Sequence, residues 1–291
     1  TSFEGDGVNT HLNKVSLSSD GTRLAIGQDR YSSIGKSQNG YLRILDYTPT
    51  GTTSWTEIGL IVDRGNGYTL GQRVEMSGDG NTVAALEGTS TAGTKGIRIY
   101  RYTPTGVTSW TVIGDLDTRY FQSVYYGHVF SLTSDGNKIA IGEPDGRLAN
   151  SQPGIVRIYK YDTSINWDLE QSFSGENGTE DFYGGGVDIS SDGNKLVISS
   201  YQKDNNKGIV EYYEYTPSGT SSWTQYGETL LGSVTGEKFG IDVKISADGS
   251  RFAVGSTNTN AETDGSGTFD SEGQIKVYNV GDQYKYTWDI S

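Results

Sequence analysis

The sequence has 291 residues and a formal net charge of −13, and it contains 41 Gly and 20 Tyr but no Cys. The absence of cysteine excludes a disulfide scaffold, a thiol nucleophile and a thiolate metal site, and the negative charge disfavours nucleic-acid binding. No apolar run reaches the roughly 18 residues of a membrane-spanning helix, and the excess of Gly and Tyr favours strands joined by tight turns.

Two short segments recur in phase along the chain. The first contains a Ser-x-Asp-Gly type of turn, whose aspartates are Asp20, Asp79, Asp135, Asp192 and Asp248, 56 to 59 residues apart. The second runs from a Tyr, in three copies followed by Thr-Pro, to a tryptophan, and its tryptophans are Trp55, Trp110, Trp167, Trp223 and, in a degenerate copy, Trp288. Two independent markers with one period indicate five repeats of about 57 residues.

Each repeat predicts four strands. The first strand alternates apolar and polar residues, as in Val187–Ser190, and the Asp-Gly pair then forms a tight hairpin. The second strand is apolar on both faces, as in Ile139–Ile141, and the third alternates again, as in Gly96–Tyr102. A second turn leads to the fourth strand, which begins at the tryptophan. Such units predict an all-β fold, a five-bladed β-propeller with four antiparallel strands per blade.

The repeats also predict how the chain closes. Trp167 lies six residues before Phe173, and Trp288 lies six residues before Phe3 when the two termini are joined. Residues 1–291 are therefore expected to form a single propeller domain of five whole repeats, circularly closed at the termini.

The blade motif resembles the FG-GAP repeat of integrin α-subunit propellers. The name-giving dipeptide stands at Tyr126-Gly127, Tyr183-Gly184 and Phe239-Gly240, and Gly142-Glu-Pro144 corresponds to the second half of the motif. The similarity is greatest to a divergent form found in large surface or secreted microbial proteins, which implies an extracellular location or a cell or virion surface. The metal-binding form of the repeat surrounds its turn with several carboxylates, whereas here serines precede the turn, so these turns are expected to carry no metal.

The repeated aromatic residues allow two interpretations. We interpret the five tryptophans and the third-strand tyrosines as residues that pack the blades together, because aromatic side chains dominate core energetics. The alternative is a set of stacking platforms for sugars.

The loops between second and third strands differ most among the repeats and are predicted to bind a ligand. The candidate ligand-binding residues are Asp29, Tyr31, Asp145, Arg147, Tyr201 and Asp204. In the longest loop, residues 258–272, a calcium ion could be bound by Glu262, Asp264, Asp270 and Glu272. Asn177 begins an Asn-Gly-Thr sequon that would be glycosylated if a eukaryote secretes the protein.

No catalytic arrangement is predicted. Glu87, Glu143 and Asp181 break the repeat and could serve a glycosidase-like enzyme, but no partner arrangement supports them. The sequence is therefore expected to be a non-catalytic extracellular module for adhesion or protein–protein assembly through its loop face. Its expected partner is a protein or glycan on a surface, with self-assembly into a larger structure and no membrane insertion. A lectin with repeated Trp/Tyr sites is the alternative, and a glycosidase-like enzyme the third option.

Overall fold

A computed structural model describes most of the chain. The described residues are 10–30, 40–49, 54–62, 68–89, 95–104, 109–117, 129–144, 153–164, 166–176, 181–217, 222–257, 273–282 and 285–290. Apart from a four-residue helical segment, α1 (Lys203–Asn206), and a short 3-10 turn at Val280–Asp282, the regular structure in these ranges consists of strands. The predicted all-β class is confirmed.

The strands form five antiparallel sheets, and in each sheet the strands lie in chain order. Sheet one contains β1 (Thr10–Leu17), β2 (Arg23–Arg30), β3 (Tyr41–Thr48) and β4 (Ser54–Val62). Sheet two contains β5 (Tyr68–Met76), β6 (Thr82–Thr89), β7 (Lys95–Thr103) and β8 (Ser109–Asp117). Sheet three contains β9 (Val129–Leu132), β10 (Lys138–Glu143), β11 (Ile155–Asp162) and β12 (Asn166–Ser174).

The last two sheets follow the same order. Sheet four contains β13 (Tyr183–Ile189), β14 (Lys195–Ser200), β15 (Ile209–Thr216) and β16 (Ser222–Gln225), and the short β17 (Leu230–Leu231) also pairs with β15. Sheet five contains β18 (Asp242–Ile245), β19 (Arg251–Ser256), β20 (Gln274–Asn279) and β21 (Lys285–Ile290). The four predicted strands per repeat are therefore observed in all five repeats.

The burial of each strand follows its sequence pattern. After its first residue, β10 is buried on both faces, as expected for an apolar strand between two partners. In β11, the first four residues alternate between half-buried and buried positions, which matches the alternating pattern of third strands. β12, at the edge of sheet three, has no buried residue. In sheet three, the second and third strands each lie between two partners, and the second is buried along nearly its whole length.

The Asp-Gly turns are closed by their own side chains. In sheet four, Ser190 Oγ donates a 2.5 Å hydrogen bond to Asp192, and Asp192 accepts a 3.0 Å bond from the Asn194 backbone N–H. In sheets one and five, the same bonds from serine hydroxyls and turn backbone N–H groups lower the pKa values of Asp20 and Asp248 to about 2. These aspartates therefore stabilise the turns of the hairpins.

The contacts divide the chain into two compact units. Unit one comprises Thr1–Gly127, Ser134–Asn137 and Tyr161–Asp168, and unit two comprises His128–Thr133, Lys138–Lys160 and Leu169–Ser291. Each unit has its own buried apolar cluster, which includes Leu42 and Val83 in unit one and Val210 and Phe252 in unit two. A single circularly closed domain over residues 1–291 stays a prediction.

The tryptophans pack as the first interpretation expected. Trp223 is 8% exposed, and its ring centroid is 5.5 Å from that of Tyr215. In unit one, Trp110 and Trp167 are half-buried and lie directly against Gly59 and Gly114, which have no side chain to displace them. The packing interpretation is confirmed for these three tryptophans, whereas the side chain of Trp288 lies outside the described residues.

Candidate functional site

A cavity of about 230 Å³ lies beside sheet four, within unit two. It is lined by the end of β12 and the segment after it, the start of β13, the end of β14, the turn at α1, and β15. The residues that define this sheet-four pocket are Glu176, Asp181, Tyr183, Ser200, Lys203, Glu211 and Tyr213. A concave site with several titratable side chains is the strongest candidate for ligand binding in the described part of the chain.

One side of the pocket is an ion-paired lysine. The Nζ atom of Lys203 lies 2.6 Å from Glu176 Oε2 and 2.9 Å from Asp181 Oδ2. The Lys203 and Asp181 side chains are 24% and 17% exposed, whereas that of Glu176 is 73% exposed. Desolvation opposes the charge, but the hydrogen bonds to the two carboxylates raise the pKa of Lys203 above its usual value. The ammonium group is therefore charged throughout the neutral range.

The turn that carries Lys203 has an uncommon backbone. Asp204, Asn205 and Asn206 follow it with φ values of 52°, 59° and 62°, in the left-handed region that Asn and Asp tolerate better than other non-Gly residues. The carbonyl oxygens of Asn205 and Asn206 accept hydrogen bonds from the backbone N–H groups of Gly236 and Lys238, at 3.3 and 2.7 Å. These bonds hold the turn in place, and with it the start of the Lys203 side chain.

The other side of the pocket is a carboxylate with two phenol donors. Glu211 Oε2 accepts hydrogen bonds from the hydroxyl groups of Tyr213, at 2.9 Å, and Tyr183, at 3.2 Å. Burial, followed by the charge of Glu211, raises the pKa of Tyr183, and burial likewise raises the pKa of Tyr213. Both phenols are therefore protonated at neutral pH and act as donors.

The pocket lies where sheet four departs from the repeat. The residue eight positions after each turn aspartate is buried and polar in all five repeats: Gln28, Glu87, Glu143, Ser200 and Ser256. In sheet four this residue is a serine, whose hydroxyl donates to the backbone oxygen of Asp181. Sheet five also has a serine at this position, but there the buried Glu237 lies 3.3 Å from Ser256 Oγ and pairs with Lys276. In sheet four, the pocket lies beside Ser200 and β15.

Of the predicted residues whose side chains the structure describes, one lines the pocket. Asp181 lines it, whereas Glu87 forms an ion pair with Arg98 at 3.2 Å in sheet two, and Glu143 forms one with Arg157 in sheet three. Burial raises the pKa of Glu143 despite its arginine partner. These two glutamates are therefore parts of structural ion pairs.

Three of the predicted loop residues lie in the described ranges. The structure corrects the prediction for Asp29, which lies in β2 opposite His11 and not in a loop. Tyr201 and Asp204 flank Lys203 along the chain. The ring centroid of Tyr201 lies 5.5 Å from that of Phe182. Asp204 is exposed and pairs with Lys207 at 3.1 Å. Neither residue lines the pocket.

The other predicted sites lie outside the described residues. These are Tyr31, Asp145, Arg147, the sequon at Asn177, the calcium candidates Glu262, Asp264, Asp270 and Glu272, and the side chain of Asp29. In the ranges that are described, no group of three or more His, Cys, Asp or Glu side chains is arranged to hold a metal ion. In the same ranges, no helix is long and apolar enough to cross a membrane.

Sequence reasoning missed Lys203 and the role of Glu211. The signal for Glu211 was present, because the equivalent third-strand position is basic in the other four repeats: Arg43, Arg98, Arg157 and Lys276. Lys203 carried no such signal, since its turn has no counterpart of the same length in the other repeats.

Comparison with known proteins supports the fold. No protein-family model and no curated protein matches the sequence. The chain is similar to a periplasmic gluconolactonase from Pseudomonas aeruginosa, with 14% identity and a TM-score of 0.54 over 95% of this chain and 71% of that one. It is also similar to a prolyl endopeptidase structure (12% identity, TM-score 0.52, covering 97% of this chain and 34% of that one).

A third similar structure is itself described as a propeller. It is the β-propeller domain of the Trilobed protease from Pyrococcus furiosus, with 11% identity and a TM-score of 0.50 over 96% of this chain and 72% of that one. With five four-stranded antiparallel sheets, the chain is a five-bladed β-propeller. Identities this low show the fold alone.

These similarities correct the predicted function. A non-catalytic module for adhesion or assembly, with a lectin as the alternative, was expected from the resemblance to surface-protein repeats. The similar structures instead come from proteins described as a gluconolactonase, a prolyl endopeptidase and a protease. The error arose because blade motifs encode the turns and packing of the scaffold, whereas function depends on residues that break the repeat.

Proposed function

We propose that this chain is a hydrolytic enzyme that acts on a small polar substrate in the sheet-four pocket. The proposal is based on one observation: an ammonium group, carboxylates and protonated phenols line the same cavity of about 230 Å³. Hydrolysis of an ester or lactone needs a base for the attacking water, positive charge beside the developing oxyanion, and a means of orienting the substrate.

The pocket residues can be assigned to these tasks. Asp181 is partly accessible and acts as the general base toward water. Lys203, 2.9 Å from Asp181, stabilises the negative charge that develops on the carbonyl oxygen. Glu211, oriented by Tyr183 and Tyr213, binds the part of the substrate that does not react.

Other features are consistent with this proposal but would not be sufficient to support it alone. The similarity to a gluconolactonase indicates only that this fold is compatible with the hydrolysis of a lactone. The description of that similar protein as periplasmic favours a location outside the cytoplasm. Membership of the FG-GAP repeats likewise stays a proposal, supported by motifs such as Tyr183-Gly184, whose glycine has a φ of 82° and packs against Gly142.

The test is a hydrolysis assay over sugar lactones and small carboxylic esters, with and without a primary amine group. We expect Asp181→Asn to lower kcat by about 100-fold or more, as is usual for loss of a general base. Lys203→Met should lower it similarly, whereas the exposed controls Asp242→Asn and Lys160→Met should leave it unchanged. Circular dichroism establishes that each variant is folded.

Two results would refute the proposal. One is a wild-type rate that does not exceed that of Asp181→Asn for any compound in the set. The other is full activity in both Asp181→Asn and Lys203→Met, because the chemistry would then occur elsewhere.

A further inference from the structure

We infer that the sheet-four pocket binds a positively charged group of its ligand, a primary ammonium or guanidinium, at Glu211. The identification of this ligand as a substrate rests on the proposed function, but the cation site itself does not. The inference comes from comparing sheet four with the other sheets, position by position.

Four sheets contain an ion pair at the corresponding place. In each of these sheets, one basic residue of the third strand pairs with the residue that lies six positions after the turn aspartate. These basic residues are Arg43, Arg98, Arg157 and Lys276. Each has a carboxylate partner: Arg43 with Glu57 at 2.8 Å, Arg98 with Glu87 at 3.2 Å, Arg157 with Glu143, and Lys276 with Glu237 at 3.7 Å. A cation paired with an acid is thus the rule at this position.

Sheet four reverses the charge and omits the partner. Glu211 occupies the third-strand position, opposite Ile198. Among the residues that the structure describes, no Lys, Arg or His forms an ion pair with Glu211, and Lys203 is engaged by Asp181 and Glu176 instead. The described donors to Glu211 are neutral: the two tyrosine hydroxyls on Oε2, and Thr229 Oγ1 at 3.4 Å from Oε1.

A half-buried carboxylate without a cation is costly, because neutral donors offset only part of its lost hydration. The space for a cation is also present. In sheets two and three, the glutamate that pairs with the arginine stands where Ser200 stands in sheet four. A ligand ammonium can therefore lie between Ser200 and Glu211, with the rings of Tyr183 and Tyr213 as aromatic neighbours.

The cavity supports the same class of ligand. The pocket contains three carboxylates and one ammonium, so its formal charge is negative and anionic ligands are disfavoured. A volume of about 230 Å³ suits a small amine or the terminal part of a larger one.

The test is a binding titration with a matched pair of probes, benzylamine and benzyl alcohol, which share a ring and differ in charge. We expect the wild type to bind benzylamine at least tenfold more tightly than benzyl alcohol at pH 7, since a charge-assisted hydrogen bond has about this value. Glu211→Gln should remove the preference, while the exposed control Glu228→Gln should retain it. Thermal unfolding establishes that both variants are folded.

The outcomes separate this inference from the proposed function. Equal affinity for the two probes in the wild type, or an unchanged preference in Glu211→Gln, would overturn the cation site. A clear preference that depends on Glu211 would support it even if no compound is hydrolysed, because binding is measured without turnover. Should Glu211→Gln fail to fold, Tyr213→Phe removes one donor and should alter the affinity for benzylamine by a smaller factor.

Discussion

Replacing Trp223 by alanine tests whether the repeated tryptophans hold the blades together. Trp223 is 8% exposed, and its ring lies 5.5 Å from Tyr215, 6.5 Å from Phe173 and 5.7 Å from the ammonium of Lys138. Among the residues that the structure describes, its indole nitrogen has no hydrogen-bond partner, so the loss consists of apolar burial and the cation–π contact. Deletion of such a side chain lowers the free energy of unfolding by about 3–5 kcal/mol.

The assay is thermal and urea unfolding of the wild type and the variant. A change of 1 kcal/mol shifts Tm by about 2–4 °C in a domain of this size class, so Trp223→Ala should lower Tm by about 6–20 °C. Leu169→Ala is the matched control, because Leu169 is 53% exposed and its loss should cost less than about 0.5 kcal/mol. A loss below about 1 kcal/mol for Trp223→Ala would refute the packing argument and restore the tryptophans as candidate binding platforms.

Three further predictions concern backbone contact and pH. Gly142→Ala should destabilise the protein by at least about 1–3 kcal/mol in urea unfolding, because its new β-carbon would overlap the carbonyl oxygen of Gly184; a neutral result would contradict the close approach. The pKa of Asp248 in the folded protein is about 2, so its carboxylate stabilises the fold at pH values above the ordinary pKa of an aspartate. This contribution to stability is lost as the pH falls through 2. Ser246→Ala should raise the pKa of Asp248 in an NMR titration. The pKa of Lys203 is raised in the folded protein, so its charge stabilises the fold fully at pH values below the ordinary pKa of lysine. This contribution to stability is lost as the pH rises through the folded pKa. The stability of Lys203→Met should therefore fall less than that of the wild type at alkaline pH.

The fold could be predicted from sequence because its signals are local. An Asp-Gly turn with a serine two residues earlier forms its hydrogen bonds within five residues, as Ser190, Asp192 and Lys195 do, and it marks one hairpin wherever it recurs. Strand period and turn residues therefore gave the four strands of each repeat without any knowledge of long-range contacts.

The site could not be predicted in the same way, because its residues come from separate segments. Glu176 follows β12, Asp181 precedes β13, Lys203 lies in the turn after β14, and Glu211 lies in β15. Their meeting depends on how the chain crosses from one sheet to the next, which no local pattern specifies. Loop variability pointed to the turn that contains Lys203, but it selected Tyr201 and Asp204, whose contacts are with neighbouring residues of the protein.

The comparison of sheet four with sheets two and three also provides a reconstruction that tests the cation site. Two residues differ from sheets two and three: Ser200 replaces a glutamate, and Glu211 replaces an arginine. The double variant Ser200→Glu/Glu211→Arg would restore the internal ion pair and fill the cavity with its own side chains. We expect it to unfold within about 1 kcal/mol of the wild type, because a restored pair recovers much of its desolvation cost.

The single variants provide the contrast. Ser200→Glu alone places a second carboxylate beside Glu211 without a cation, so it should be less stable than the double variant, and its stability should rise as the pH falls and one carboxyl group is protonated. The double variant should lose the preference for benzylamine over benzyl alcohol, whereas its fold stays intact. If it instead binds benzylamine as the wild type does, the cation site does not lie between positions 200 and 211, and the charge reversal in sheet four is a feature of packing alone.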